Sequence, residues 1–238
     1  MDADDDTNAL AAAALEQIRL MGVHYGLWFS ETVHQFGLDA ALQAESRAGD
    51  LTRDMVLKRL SNASNPFANL SKEQLETFLD TFSKLWLGMD GVWFQAVESL
   101  EGMDGAKRVN DTCWARFAPL EAVRIKAMLN LPEQGGLNAL EETLKWRMNS
   151  RVNEVAAVRE PDSLTFRVLT CRVQAARRRK GLQDYPCKSA GVTEYRGFAR
   201  HVDARIRTEC LACPPDDLAP DEFCSWRFTL EKDQPDGQ

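Results

Sequence analysis

The apolar residues of this chain change period once, near residue 150, and no fold of a single class accommodates the change. From Asn8 to about Ser150 they recur at helical spacing. Ser71-Lys72-Glu73-Gln74 has the form of a capping box, and Leu75, Phe78, Leu79, Phe82, Leu85 and Trp86 follow on one face. Breaks are expected near Gly37 and Gly49, and Pro119 is expected in a first helical turn, where its missing N–H costs nothing. Beyond Arg151 the pattern alternates. Residues 152–158 and 164–173 read as strands joined by the turn Glu160-Pro161-Asp162-Ser163. Helices over 174–180 and from Pro186 or Cys187 to about His201 follow, then strands over 205–211 and 222–230. The expected fold class is α+β: a helical bundle, residues 1–150, packed on a small, mostly antiparallel β-β-α-α-β-β domain, residues 151–238.

The helical part echoes itself at an offset of 65 residues. Gly26-Leu27-Trp28-Phe29 returns as Gly91-Val92-Trp93-Phe94, and Gly37-Leu38-Asp39-Ala40-Ala41 returns as Gly102-Met103-Asp104-Gly105-Ala106. Two matches at one separation suggest two related helix pairs about a pseudo-twofold axis, that is, an internal duplication; chance similarity of Trp-Phe-bearing amphipathic helices is the alternative.

Charge and hydropathy exclude several classes. The longest stretch without a charged residue, 60–71, is polar and far below the roughly 20 apolar residues of a membrane span. The start Met1-Asp2-Ala3-Asp4-Asp5-Asp6 reverses the positive opening of a targeting signal, so a cytoplasmic location is expected. Net charge is −7, which argues against nucleic acid and anionic membranes as partners. The balance is uneven: residues 1–50 carry nine acidic and two basic side chains, whereas 171–207 carry ten basic and three acidic, so an anion site is expected only in the second half.

Cysteine spacing is the strongest chemical signal. Five of six cysteines fall at Cys171, Cys187, Cys210, Cys213 and Cys224, within the last 68 residues. In a reducing compartment such clustering favours metal or redox chemistry over disulfides. Cys210-Leu211-Ala212-Cys213 precedes Pro214-Pro215 at a strand end, where a turn brings both thiolates to one ion. Cys224 starts the alternating run Cys224, Trp226, Phe228, Leu230, and Cys187 begins a helix, whose dipole favours a thiolate. A closed site of Cys187, Cys210, Cys213 and Cys224, with Cys171 as a further candidate ligand, suits Zn or an iron-sulfur cluster. A redox pair at Cys210 and Cys213, or five inert buried thiols, are the alternatives. Cys113 stands apart and reads as a packed core residue.

The remaining polar candidates are fewer. His24 and Glu31 share a helix face with Trp28 between them, and Asp90 stands in the echoed copy where Tyr25 stands in the first; this polar centre offers a ligand site, His24 foremost, or simply flanks a Trp-rich core. Arg172 and Lys188 adjoin cysteines and suit a carboxylated ligand. Arg177-Arg178-Arg179-Lys180 reads as a solvated helix end that the macrodipole favours. Phosphate-cradling Gly-rich loops, a serine elbow and paired-histidine zinc motifs are lacking in the sequence. The Trp-rich helical half is compatible with a homodimer as well as with a core.

Cys171-Arg172-Val173-Gln174-Ala175-Ala176, Asp184-Tyr185-Pro186-Cys187 and Cys224-Ser225-Trp226-Arg227-Phe228 together resemble the L-2-amino-thiazoline-4-carboxylic acid hydrolase-like family, itself similar to 4-vinyl reductase-like ligand-binding domains. Over most of the chain, including 22–29 and 110–114, the sequence is similar to an uncharacterised group of bacterial cytosolic proteins. The resemblance implies a small-molecule site and opening of a cyclic C–N or C–S bond. Val173 stands where that family has an aromatic, and Cys210-x2-Cys213 is an addition; both departures favour a metal-bearing variant. The expectation is therefore a metal-binding protein whose cysteine-held Zn or iron-sulfur centre lies beside a small-molecule pocket. A metal-dependent hydrolase or lyase is the catalytic form of that expectation, and a non-enzymatic ligand, metal or redox sensor is its alternative.

Overall fold

The computed structural model describes residues 3–60, 70–218 and 223–231. Five helices come first, α1 (Ala3–Phe36), α2 (Leu38–Leu60), α3 (Lys72–Met128), α4 (Gly136–Lys145) and α5 (Met148–Val152). Then follow β1 (Glu154–Arg159), β2 (Ser163–Thr170), α6 (Arg172–Arg179), α7 (Lys188–Val202), β3 (Ile206–Ala212) and β4 (Cys224–Leu230). The fold is α+β, as the change of period requires. The chain forms two compact units, 1–117 and 118–238, and the division falls inside α3. Helix gives way to strand at residue 153, close to the expected place, yet the segment 118–152 belongs to the same compact unit as the sheet.

In the helical unit the 65-residue echo is built into the backbone. Gly37 ends α1 with φ +86° and Gly102 bends α3 with φ +73°, so each copy is a helix, a glycine in the left-handed region, and a second helix. A side chain at either position would be strained. The echoed Trp28 and Trp93 are fully buried and stack on each other at 6.1 Å. The capping box forms as expected: Ser71 Oγ accepts the Gln74 N–H at 3.3 Å, and Gln74 Oε1 accepts the Ser71 N–H at 2.7 Å.

Two expected breaks are absent. Helix α2 runs through Gly49 because the glycine serves packing: a Cβ there would meet the Tyr25 hydroxyl at 2.8 Å and Glu45 Oε1 at 2.9 Å. Tyr25 donates to that carboxylate at 2.9 Å, so the missing side chain admits an interhelical hydrogen bond. Pro119 lies inside α3 and not in a first turn. Its ring packs toward Gly197 of α7, where a Cβ would approach Pro119 Cδ at 3.3 Å, and this tertiary seat offsets the one helical hydrogen bond that proline forgoes.

The second unit is an all-antiparallel sheet in the order β1-β2-β4-β3. Alternation sends Leu164, Phe166 and Val168 of β2, Ile206 of β3, and Trp226 and Phe228 of β4 to one buried face. Helix α7 covers that face with Ala190, Tyr195, Phe198 and Val202, and α4 adds Leu137, Leu140 and Leu144. Tyr195 is the hinge of this packing, stacked on Trp226 at 4.7 Å with Phe166 at 5.8 Å. A bulge between Cys210 and Ala212 bends β3 at the end where the cysteines gather.

Arg147, in the break between α4 and α5, ties three segments together. Its guanidinium is buried, donates to Glu121 Oε2 at 2.8 Å and Glu194 Oε1 at 2.7 Å, and lies over the Phe198 ring at 4.5 Å. Asn149 adds a donor to Glu194 at 3.2 Å. Burial raises the Glu194 carboxyl above its ordinary range, although Arg147 opposes the shift. A break at 146–147 thus turns an arginine inward and separates α4 from α5.

Candidate functional site

All five clustered cysteines lie at element ends on one end of the sheet. Cys171 follows β2 and caps α6; Cys187 caps α7; Cys210 is near the end of β3, Cys213 just beyond it, and Cys224 opens β4. Antiparallel register explains the convergence, since Val168 pairs with Cys224 and Cys210 with Trp226, setting the end of β2, the start of β4 and the end of β3 side by side. Cys210 and Cys224 also share the inward parity of Ile206 and Trp226.

Cys213 is the centre of the group. Its Sγ lies 3.8 Å from Cys187 Sγ, and Cys224 is the other thiol within hydrogen-bonding reach. Hydrogen bonding to both thiols and burial push the Cys213 thiol far up. The Cys187 thiol moves down, chiefly because Cys213 donates to its sulfur; a backbone N–H and the Gln174 amide, at 3.6 Å, add to this against burial. Burial lifts Cys171 and Cys210 to about 11 each, and both feel the charges of Cys187 and Cys224. The thiolate is thus favoured at Cys187 and disfavoured at Cys171, Cys210 and Cys213. No disulfide joins any of the six cysteines, and among the described residues no three His, Cys, Asp or Glu side chains stand in a geometry that could hold a metal ion as it is.

Backbone and side-chain bonds fix the cysteine-bearing segments. Lys188 N–H donates to the Pro214 carbonyl at 2.9 Å. Asp216 holds Lys188 Nζ with both oxygens, at 2.8 and 2.7 Å, and accepts the Cys213 N–H at 3.2 Å. Buried Gln174 accepts the Tyr185 N–H at 2.9 Å and donates to the Tyr185 carbonyl at 2.7 Å, holding the loop that leads to Cys187. Gly191, in the first turn of α7, admits Trp226: a Cβ there would stand 2.6 Å from its Cζ2 and 3.7 Å from Cys213 Sγ. The Trp226 Nε1 is buried without a hydrogen bond.

The other expected site residues scatter. Lys188 is at the thiols but engaged by Asp216. Arg172 is exposed at the start of α6, its N–H bonded to Asn153 Oδ1. Of the expected solvated helix end, Arg179 and Lys180 are exposed and Arg178 pairs with Asp184 at 2.6 Å, whereas Arg177 is buried and donates to the Gln183 carbonyl at 2.7 Å. His24 belongs to the helical unit, fully buried among Trp28, Trp86, Trp114 and Phe117, the last stacked at 4.2 Å. Trp86 N–H donates to His24 Nδ1 at 2.9 Å, so the ring proton sits on Nε2, 3.7 Å from Asp90 Oδ1, which also accepts the Trp28 N–H. Burial lowers the His24 pKa to about 3 and keeps the ring neutral. Cys113, 0% exposed in the same region, is pushed well up by burial and by Asp90 and Glu31.

Gln174, Gly191 and Asp216 escaped the sequence reading, as did Arg147, Glu121 and Glu194. Only Gly191 left a trace in sequence, a glycine in a helical run opposite no expected turn.

No curated protein and no solved structure matches the chain. The profile of a family of unknown function, DUF6125, matches residues 68–230, which span the second arm of the echo and the whole thiol centre. That match covers more than half of the sequence, so the chain belongs to this family of unknown function, DUF6125.

Proposed function

We propose that the second unit is a thiolate metal centre, zinc in the first instance and iron-sulfur in the second, serving a small-molecule site. The observation that carries the reading is the 3.8 Å separation of Cys187 and Cys213 with Cys224 in reach of the latter. Two sulfurs bound to one tetrahedral zinc at about 2.3 Å stand about 3.8 Å apart. Cys187 has its thiolate favoured by its neighbours, and metal binding would release the proton that Cys213 now shares with it. Filling a four-sulfur shell requires Cys224 and either Cys210 or Cys171 to turn toward the same point.

The catalytic form of the proposal needs an open coordination position. The ion would then polarise a small carboxylated or heterocyclic substrate as a Lewis acid for hydrolysis or elimination, with exposed Arg172 as the cation for the carboxylate. Four protein sulfurs on the ion would leave the sensing or structural form instead. Free thiols and the acidic balance support a reducing, cytoplasmic setting, and no helix among the described residues is long and apolar enough to cross a membrane.

The test is metal and acid-labile sulfide content, with a visible spectrum, on protein purified without oxygen. The expected result is about one metal ion or cluster per chain, lost in Cys213→Ser and retained in Cys113→Ser. Metal-free protein after purification and after reconstitution with zinc or with iron and sulfide would overturn the proposal.

A further inference from the structure

We infer that Cys187 and Cys213 form a peroxide-oxidisable dithiol, a modification site distinct in its pairing from the Cys210–Cys213 motif that spacing suggests. Sequence separation hides the pair, since 25 residues and all of α7 lie between them. The two sulfurs are 3.8 Å apart, and a disulfide needs them at about 2.05 Å. Their backbones are already held together: the residue after Cys187 donates to the carbonyl of the residue after Cys213 at 2.9 Å, and Asp216 bonds both segments. Cys210 lacks this relation to Cys213, because it lies on β3 paired to Trp226, before the bulge, whereas Cys213 lies beyond the strand.

Access sets the order of events. Cys187 is partly exposed at the start of α7, whereas Cys213 is 1% exposed. The Cys187 sulfur attacks the distal oxygen of a hydroperoxide; the O–O bond breaks, water or an alcohol leaves, and Cys187 becomes a sulfenic acid. The Cys213 sulfur then attacks the Cys187 sulfur, the S–O bond breaks, and hydroxide takes up the Cys213 proton and leaves as water. Two thiols and one hydroperoxide thus give one disulfide, one water and one water or alcohol. The inference needs only the two thiols and stands apart from the metal reading.

The experiment uses the full chain, reduced and stripped with a chelator, exposed to stoichiometric hydrogen peroxide and then alkylated, digested with trypsin and mapped by mass spectrometry. The expected product joins fragment 181–188 to fragment 208–227, with fragmentation placing the link at Cys213 and with Cys210 and Cys224 alkylated. Cys213→Ser is expected to stop at a Cys187 sulfenic acid that a cyclic dione traps, and Cys210→Ser is expected to form the link at wild-type yield. A link at Cys210 or Cys224, over-oxidation of Cys187 with Cys213 still alkylatable, or unreactive thiols would each overturn the inference, and the wild-type map alone decides it if a variant fails to fold. Metal content on the untreated protein is read separately, so an empty centre with a Cys187–Cys213 link removes the metal proposal and keeps this one.

Discussion

In the helical unit the buried polar groups are locked by aromatic neighbours: Trp86 and Trp28 donate to His24 and Asp90, and the His24 ring lies flat against Phe117. In the α/β unit the sulfur atoms face one another at the end of a sheet, with one thiol lowered and its partner raised. The first arrangement spends its polar atoms on holding one tautomer in place. The second sets up unequal proton affinities among neighbours, the condition for metal capture or thiol exchange. Burial alone therefore does not mark chemistry, since His24 and Cys113 are more buried than Cys187.

The sharpest way to separate the units is to remove Arg147. Arg147→Met leaves Glu121 and Glu194 buried without their cation, and a loss of about 3–5 kcal/mol is expected. Hydrogen exchange read by mass spectrometry is expected to show protection falling in 118–231 while 8–36 and 75–117 keep theirs. Uniform loss across both units would erase the distinction drawn between them.

Acid tests the helical unit instead. His24 is held to about 3 in the folded chain against 6.5 as an ordinary histidine, so the unfolded state binds a proton that the folded state refuses. Its contribution is fully present above about pH 6.5 and is lost as pH falls toward 3, at up to about 1.4 kcal/mol per pH unit. Urea unfolding between pH 7 and 4 is expected to show that slope in wild type and a shallower one in His24→Gln. Equal slopes would place the His24 proton differently.

Smaller effects sharpen the picture. Gly191→Ala forces a methyl against the Trp226 ring and is expected to cost about 1–3 kcal/mol, with a change in near-ultraviolet dichroism from the displaced indole. Ser71→Ala removes the oxygen that caps Gln74 N–H and is expected to cost about 1 kcal/mol in the helical unit, seen as a shift in its urea midpoint with thiol reactivity unchanged.

From residue 153 onward the elements were legible, because strand alternation and turn residues are local signals: β1 to β4, α6 and α7 fall within about three residues of their expected bounds. The echo was legible too, since Gly37 and Gly102 occupy equivalent positions in both sequence and backbone. Gly49 and Pro119 misled because their reasons are tertiary, a hydroxyl approaching one and a helix seating the other. At the site, clustering of the five cysteines in sequence did announce a thiol group. Which of them touch did not follow, because the Cys187–Cys213 contact depends on α7 returning its N-terminus to the end of β3, and Gln174, Asp216 and Arg147 reach partners 13, 28 and 47 residues away, at Cys187, Lys188 and Glu194.

The most direct test of the thiolate-centre account is X-ray absorption at the metal edge on oxygen-free protein reconstituted with zinc. The account predicts a shell of three or four sulfurs at about 2.3 Å, diminished by one in Cys187→Ser. A shell of oxygen and nitrogen alone, or a sulfur shell unchanged in Cys187→Ser, Cys213→Ser and Cys224→Ser, would contradict it.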